Sequence, residues 1–125
     1  MLGFFKALLL LILASVPLAA TAQQAKFPER PIRLIIPFAA GGGTDIVARI
    51  VAQRLTETIA QPVIVEAKPG GGGAIAVAEL MRAAPDGHVL LIATSSNAVL
   101  PAVAGLSWHP SNDFTPIAVL YYYPF

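Results

Sequence analysis

Twice in this chain an apolar run gives way to bare glycines and then to apolar residues at helical spacing. In the first, Ile32, Leu34, Ile35, Ile36 and Phe38 run almost without interruption into Gly41, Gly42 and Gly43. Ile46, Val47, Ile50, Val51, Leu55 and Ile59 follow, with Arg49, Gln53, Arg54 and Glu57 between them. In the second, Pro62 opens the β-branched "PVIVE", "AKPGGGGA" follows, and "AIAVAELMRAA" places Ile75, Val77, Ala78, Leu80 and Met81 on one side. Near-continuous apolar runs suit strands covered on both faces, as in parallel sheets. The later spacing predicts amphipathic helices, the first from about Thr44 to Ala60.

A third cycle is weaker. "PDG", Pro85 to Gly87, predicts a turn, because proline presets one dihedral and glycine tolerates positive φ. "HVLLIA" predicts a third strand, "TSSNAVLPAVAG" a loop with a short helix, and "FTPIAVLYYY" a fourth strand. Strand alternating with helix gives an α/β fold of βαβ units on a parallel sheet, with right-handed crossovers. In such a sheet every strand-to-helix loop lies at the carboxyl edge, so "FAAGGGTD", "AKPGGGGA" and "ATSSNA" are expected to converge on one rim, where open α/β sheets bind ligands.

Glycines placed just before a helix leave its first N–H groups uncovered, and those donors have no partner inside the helix. Together with the positive end of the helix dipole they form an anion site. Thr44 is expected to cap the helix or add a hydroxyl donor. Asp45 favours the helix dipole but repels an anion unless it faces a donor, so it reads as an organiser of the loop that also has the charge to receive a positive ligand group. The competing explanation is that the glycines only make tight turns and let helices approach strands. Neither loop is a nucleotide fingerprint, since "GGGTDI" lacks the lysine of a P-loop and the last glycine of the dinucleotide motif, and "GGGGAI" fails the same tests. A carboxylate ranks above a phosphate.

The first residues are of another kind. "MLGFFKALLLLILASVPLAATAQ" has one charge, Lys6, then an apolar run from Ala7 to Val16, the breaker Pro17, and Ala20 and Ala22 around Thr21. These are the parts of a secretory signal peptide with cleavage expected after Ala22. The apolar run falls short of the roughly 20 residues of a membrane span. Residues 23–125 then form the folding unit. Their seven basic and seven acidic groups give no electrostatic case for nucleic acid. Export permits disulfides, but the chain has no cysteine, so packing carries its stability.

An enzyme finds little support. His88 and His109 are the only histidines. Ser95 and Ser96 lack a nucleophile-elbow setting, and no carboxylate pair sits at a telling spacing. Without cysteine or clustered His, Asp and Glu, no zinc site is expected. No cofactor is implied.

The ordered set "FPERPIRLIIPFAAGGGTDIVARIVAQRL", "QPVIVEAKPGGGGAIA", "AAPDGHVLLIATSS" and "DFTPIAVL" closely resembles the N-terminal part of the Bug family, the extracytoplasmic solute-binding receptors of tripartite tricarboxylate transporters. The likeness runs from about Phe27 to Leu120. It implies a two-lobed periplasmic binding protein of the type II, Venus-flytrap kind, monomeric when complete, which closes on a small carboxylate-bearing solute and delivers it to the membrane subunits. The ligand-binding residues it implies are Phe38, Ala39, Gly41, Gly42, Gly43, Thr44 and Asp45 in the first loop. Gly72, Gly73 and Ala74 belong to the second, within the matching stretch Gly70 to Ala74, and Thr94, Ser95 and Ser96 to the third.

Ala74 and Ala76 stand where the family often has Asn and Gly, and His88 where an aromatic is usual. On this reading residues 23–125 are an incomplete first lobe, the hinge strands and second lobe lying beyond Phe125. Two alternatives are a truncated, non-binding remnant of such a receptor and a fragment of an α/β enzyme.

Overall fold

The computed structural model describes residues 26–122; the signal peptide and its cleavage point lie outside the described residues. Three strands and three α-helices alternate: β1 (Ile32–Ile36), α1 (Gly43–Ile59), β2 (Val63–Ala67), α2 (Ala74–Arg82), β3 (Val89–Leu91) and α3 (Ser95–Ala104). A short 3₁₀ turn, Gly71–Gly73, leads directly into α2.

The sheet is parallel and ordered β2-β1-β3. Ile32 to Ile36 pair with Val63 to Ala67 on one side, and Arg33 to Ile35 with Val89 to Leu91 on the other. The chain thus leaves β1 in one direction and returns past it in the other. With right-handed crossovers that reversal sends successive helices to opposite faces. Accordingly α1 covers the face carrying Leu34 and Ile36, where Ala48, Ala52 and Ile92 complete the core and Val63, Val65, Ala67 and Leu90 pack against it. On the face carrying Arg33 and Ile35, α2 contributes the buried Ala76 and Val77.

The side of α1 that is buried departs from the helical spacing of its large residues. Asp45, Ala48 and Ala52 face inward, while Ile46 and Ile50 are exposed. Alanine lets the helix axis approach the sheet closely, and the bulkier side chains are left to its flanks. Likewise Ile75 and Met81 of α2 are exposed. The end of α1 is pinned by Thr56, whose hydroxyl donates to the Ala52 carbonyl at 2.8 Å and accepts the Val63 N–H at 3.0 Å.

The expected fourth strand does not form among the described residues. Residues 114–122 join no ladder, and Ile117, Val119 and Tyr122 are largely exposed. An extended segment becomes a strand only when another backbone takes up its N–H and C=O groups. Among the described residues the segment joins no ladder, and Pro116 removes one donor.

A candidate carboxylate-binding rim

β1 is the point where strand order reverses, and in open α/β sheets the crevice outside the carboxyl end of such a strand receives ligands. The first loop occupies that place. Gly42 is the N-cap of α1 and makes no side-chain cap bond, and its carbonyl takes the Ile46 N–H. Thr44 therefore lies inside the helix rather than capping it. Among the described residues no protein acceptor meets the N–H groups of Gly42, Gly43 or Thr44. Phe38, Ala39 and Gly41 to Gly43 are exposed around them.

Asp45 shapes the loop from within. Its carboxylate is buried, and Oδ2 accepts the Gly41 N–H and the Arg49 Nε–H, both at 2.9 Å. The Arg49 guanidinium first, and then the Gly41 amide, hold its pKa below the ordinary 3.8. The Gly41 amide, one of the donors the sequence offered to a ligand, is thus spent on this internal bond. Gly41 has φ +87°, a conformation that glycine adopts without strain.

The second loop uses two of its donors internally. The Gly73 N–H reaches the Gly70 carbonyl at 3.0 Å, and the Ala74 N–H the Gly71 carbonyl. Gly73 serves close approach instead: at φ +102°, a Cβ there would fall 2.4 Å from Asn97 Nδ2 and 3.3 Å from Pro37 Cβ. One glycine of the second loop thus touches the end of the first strand segment and the helix of the third loop, which brings the three loops together. Gly72 similarly faces Leu100 of α3.

In the third loop Thr94 is the N-cap of α3, and Asn97 Oδ1 accepts its N–H at 3.0 Å and its hydroxyl at 3.2 Å. The Thr94 and Ser96 hydroxyls lie 3.0 Å apart at an exposed position, and Ser95 is exposed beside them. The residue that sequence reasoning missed is Asn97. Its place three residues into a helix after Thr94 was a capping-box signal, but its burial comes from tertiary packing.

Away from the rim, the charged groups on the sheet pair with one another. Arg33 forms a bidentate pair with Glu66 at 2.7 and 2.6 Å, also bonds Glu79, and Lys68 reaches Glu79 at 3.1 Å. His88 is buried edge-on to the Phe27 ring, 4.9 Å between centroids. His109 lies in an exposed turn where Asp113 accepts its backbone N–H. Two concavities of about 360 Å³ lie away from the rim, one between α1 and β2, the other beside α2, lined by Met81, Leu106 and Trp108.

The chain has relatives among known proteins. Residues 47–125 match the model of the tripartite tricarboxylate transporter family receptor. BugT of Bordetella pertussis is 35% identical over 116 residues, which cover 88% of this chain and 35% of that one. Among solved structures, MatC from Rhodopseudomonas palustris with bound malate superposes with a TM-score of 0.66 at 38% identity, over 75% of this chain and 33% of the other. An R. palustris protein solved with adipate gives 0.52 at 34% identity, over 54% and 22%. The chain spans about a third of the length of the relatives it matches.

Proposed function

As the chain belongs to the tripartite tricarboxylate transporter receptor family, we propose that it is the first-lobe part of a periplasmic solute-binding receptor that grips one carboxylate of a small dicarboxylic acid. The observation that carries this reading is the set of unengaged amides at Gly42, Gly43 and Thr44, placed at the sheet's reversal point. At the start of a helix such amides, together with the helix dipole, offer donors that an anion can take up. Asp45 is turned inward against Gly41 and Arg49, so its charge is partly neutralised before an anion arrives.

The relatives solved with malate and adipate favour a dicarboxylate. Phe38, Ala39, Gly41, Gly42, Gly43, Thr44 and Asp45 would form or shape the grip, Gly72, Gly73 and Ala74 its wall, and Thr94, Ser95 and Ser96 the hydroxyls and helix end for a second polar group. Hydrogen bonds to a charged acceptor contribute roughly 1.5–3 kcal/mol each. Three of them barely reach the ~8 kcal/mol of micromolar affinity before association costs are subtracted. Tight capture therefore needs a second lobe that closes on the ligand. Export by the leader with cleavage after Ala22, action as a monomer and delivery to transporter membrane subunits complete the proposal.

Isothermal titration of the mature, full-length receptor that carries this lobe with succinate, malate, adipate and citrate tests it. Saturable heat with unaltered solute afterwards is the expected result. Absence of binding to every member, or chemical conversion of any of them, would overturn it.

A further inference from the structure

Asn97 is 4% exposed, and its Nδ2 is buried without a hydrogen-bond partner. A polar side chain kept dry on these terms is normally explained by what it holds in place or by what it binds. Its orientation is set on one side, because Oδ1 accepts from the Thr94 N–H and hydroxyl. Those two bonds turn Nδ2 the other way, into the notch that Gly73 leaves by having no Cβ, beside Pro37. One turn later Leu100 lies against Gly72. Asn97 thus joins the third loop to the second at Gly73, whose other side faces Pro37 at the end of the first strand.

We propose that Asn97 is a positioning residue: it sets the spacing between the amide cluster of the first loop and the Thr94–Ser96 hydroxyls of the third, and so ranks dicarboxylates by length. This rests on the receptor reading above. A ligand with an acid at each end bridges two loops, so its affinity depends on the gap between them as well as on the donors within each. Close-packed contacts transmit small displacements rather than absorbing them. Shortening Asn97 empties the notch over Gly73 and frees the Thr94 amide, which lets the third loop move relative to the first.

The test compares the full-length receptor that carries this lobe with its Asn97→Ala and Asn97→Asp variants. Asn97→Asp keeps the Oδ1 acceptor and the shape, and serves if the alanine variant fails to fold. Titration with succinate, glutarate and adipate reads the ratio of affinities, a quantity that a general loss of stability does not move. Asn97→Ala is expected to change the succinate-to-adipate ratio by about 2- to 10-fold, the range set by one hydrogen bond. Asn97→Asp keeps the wild-type order while its charge weakens all three. Affinities that fall together at a constant ratio in Asn97→Ala overturn the proposal.

Amide ¹H–¹⁵N spectra of the ligand-free chains supply an arm independent of binding. Asn97→Ala should shift the Gly73 and Phe38 resonances, and unmoved resonances at both refute the coupling. If the unsubstituted full-length receptor binds no dicarboxylate, the receptor reading fails and takes the ranking role with it. The spectra then still decide whether Asn97 joins the loops.

Discussion

At the residue scale, the first loop separates two kinds of glycine that look alike in sequence. Gly42 has φ −79°, which any L-residue adopts, and a Cβ there meets only the Ala39 carbonyl at 3.6 Å, an ordinary contact. Gly41 has open space around it but φ +87°. Gly42→Leu should leave the melting temperature almost unchanged while its side chain screens the neighbouring amides, lowering carboxylate affinity by about tenfold or more, the worth of one charge-assisted bond. Gly41→Ala should do the reverse, costing about 1–2 kcal/mol of stability through the left-handed backbone with a smaller direct effect on the ligand. Calorimetric melting alongside titration checks both. The glycine cluster and its place between a strand and a helix were readable from spacing alone. The inward turn of Asp45 onto Gly41 was not, nor was the burial of Asn97, because each depends on contacts that only the folded chain makes.

At the element scale, strands and helices follow their sequence signals where one face is strongly patterned, and depart where packing distance decides. β1, β2 and α1 lie close to their expected limits. The buried stripe of α1 did not follow the isoleucines, since alanines allow the closer approach to the sheet. The C-terminus of α1 holds Ala60 in the left-handed region at φ 53°, where glycine is the usual occupant. Ala60→Gly should therefore raise stability by about 1 kcal/mol, a rise of about 4–8 °C in Tm for a domain of this size, read by thermal circular dichroism.

Across the sheet, Arg33 draws the pKa values of Glu66 and Glu79 below the ordinary 4.5, with Lys68 adding to both. Below 4.5 the unfolded carboxylates take up protons that the folded ones still refuse, so stability falls as pH falls through the lowered values. Above 4.5 the contribution is fully present. Urea unfolding at a series of pH values should show this acid limb, and Glu79→Gln should make it shallower while leaving the slope above pH 5 unchanged.

At the scale of the whole molecule, the described residues leave apolar surface in a pattern that the sheet does not explain. Ile117 is 78% exposed, Val119 68% and Tyr122 85%, all within one extended segment that joins no strand ladder among the described residues. On α1, Ile46 and Ile50 are also exposed, one turn apart and just beyond the glycine loop. Scattered apolar side chains are ordinary on a protein surface, but a run of exposed ones along an extended segment outside the sheet is a surface for association with another chain. In a two-lobed receptor such a segment would be covered by the rest of the protein. Expressed as these 125 residues, the chain should instead associate with itself. Sedimentation velocity should show a mean mass that rises with concentration, and Ile117→Lys with Val119→Lys, which charge the segment without touching the rim, should return it to the monomer. A monomer at all concentrations before substitution would mean that these side chains do not drive association.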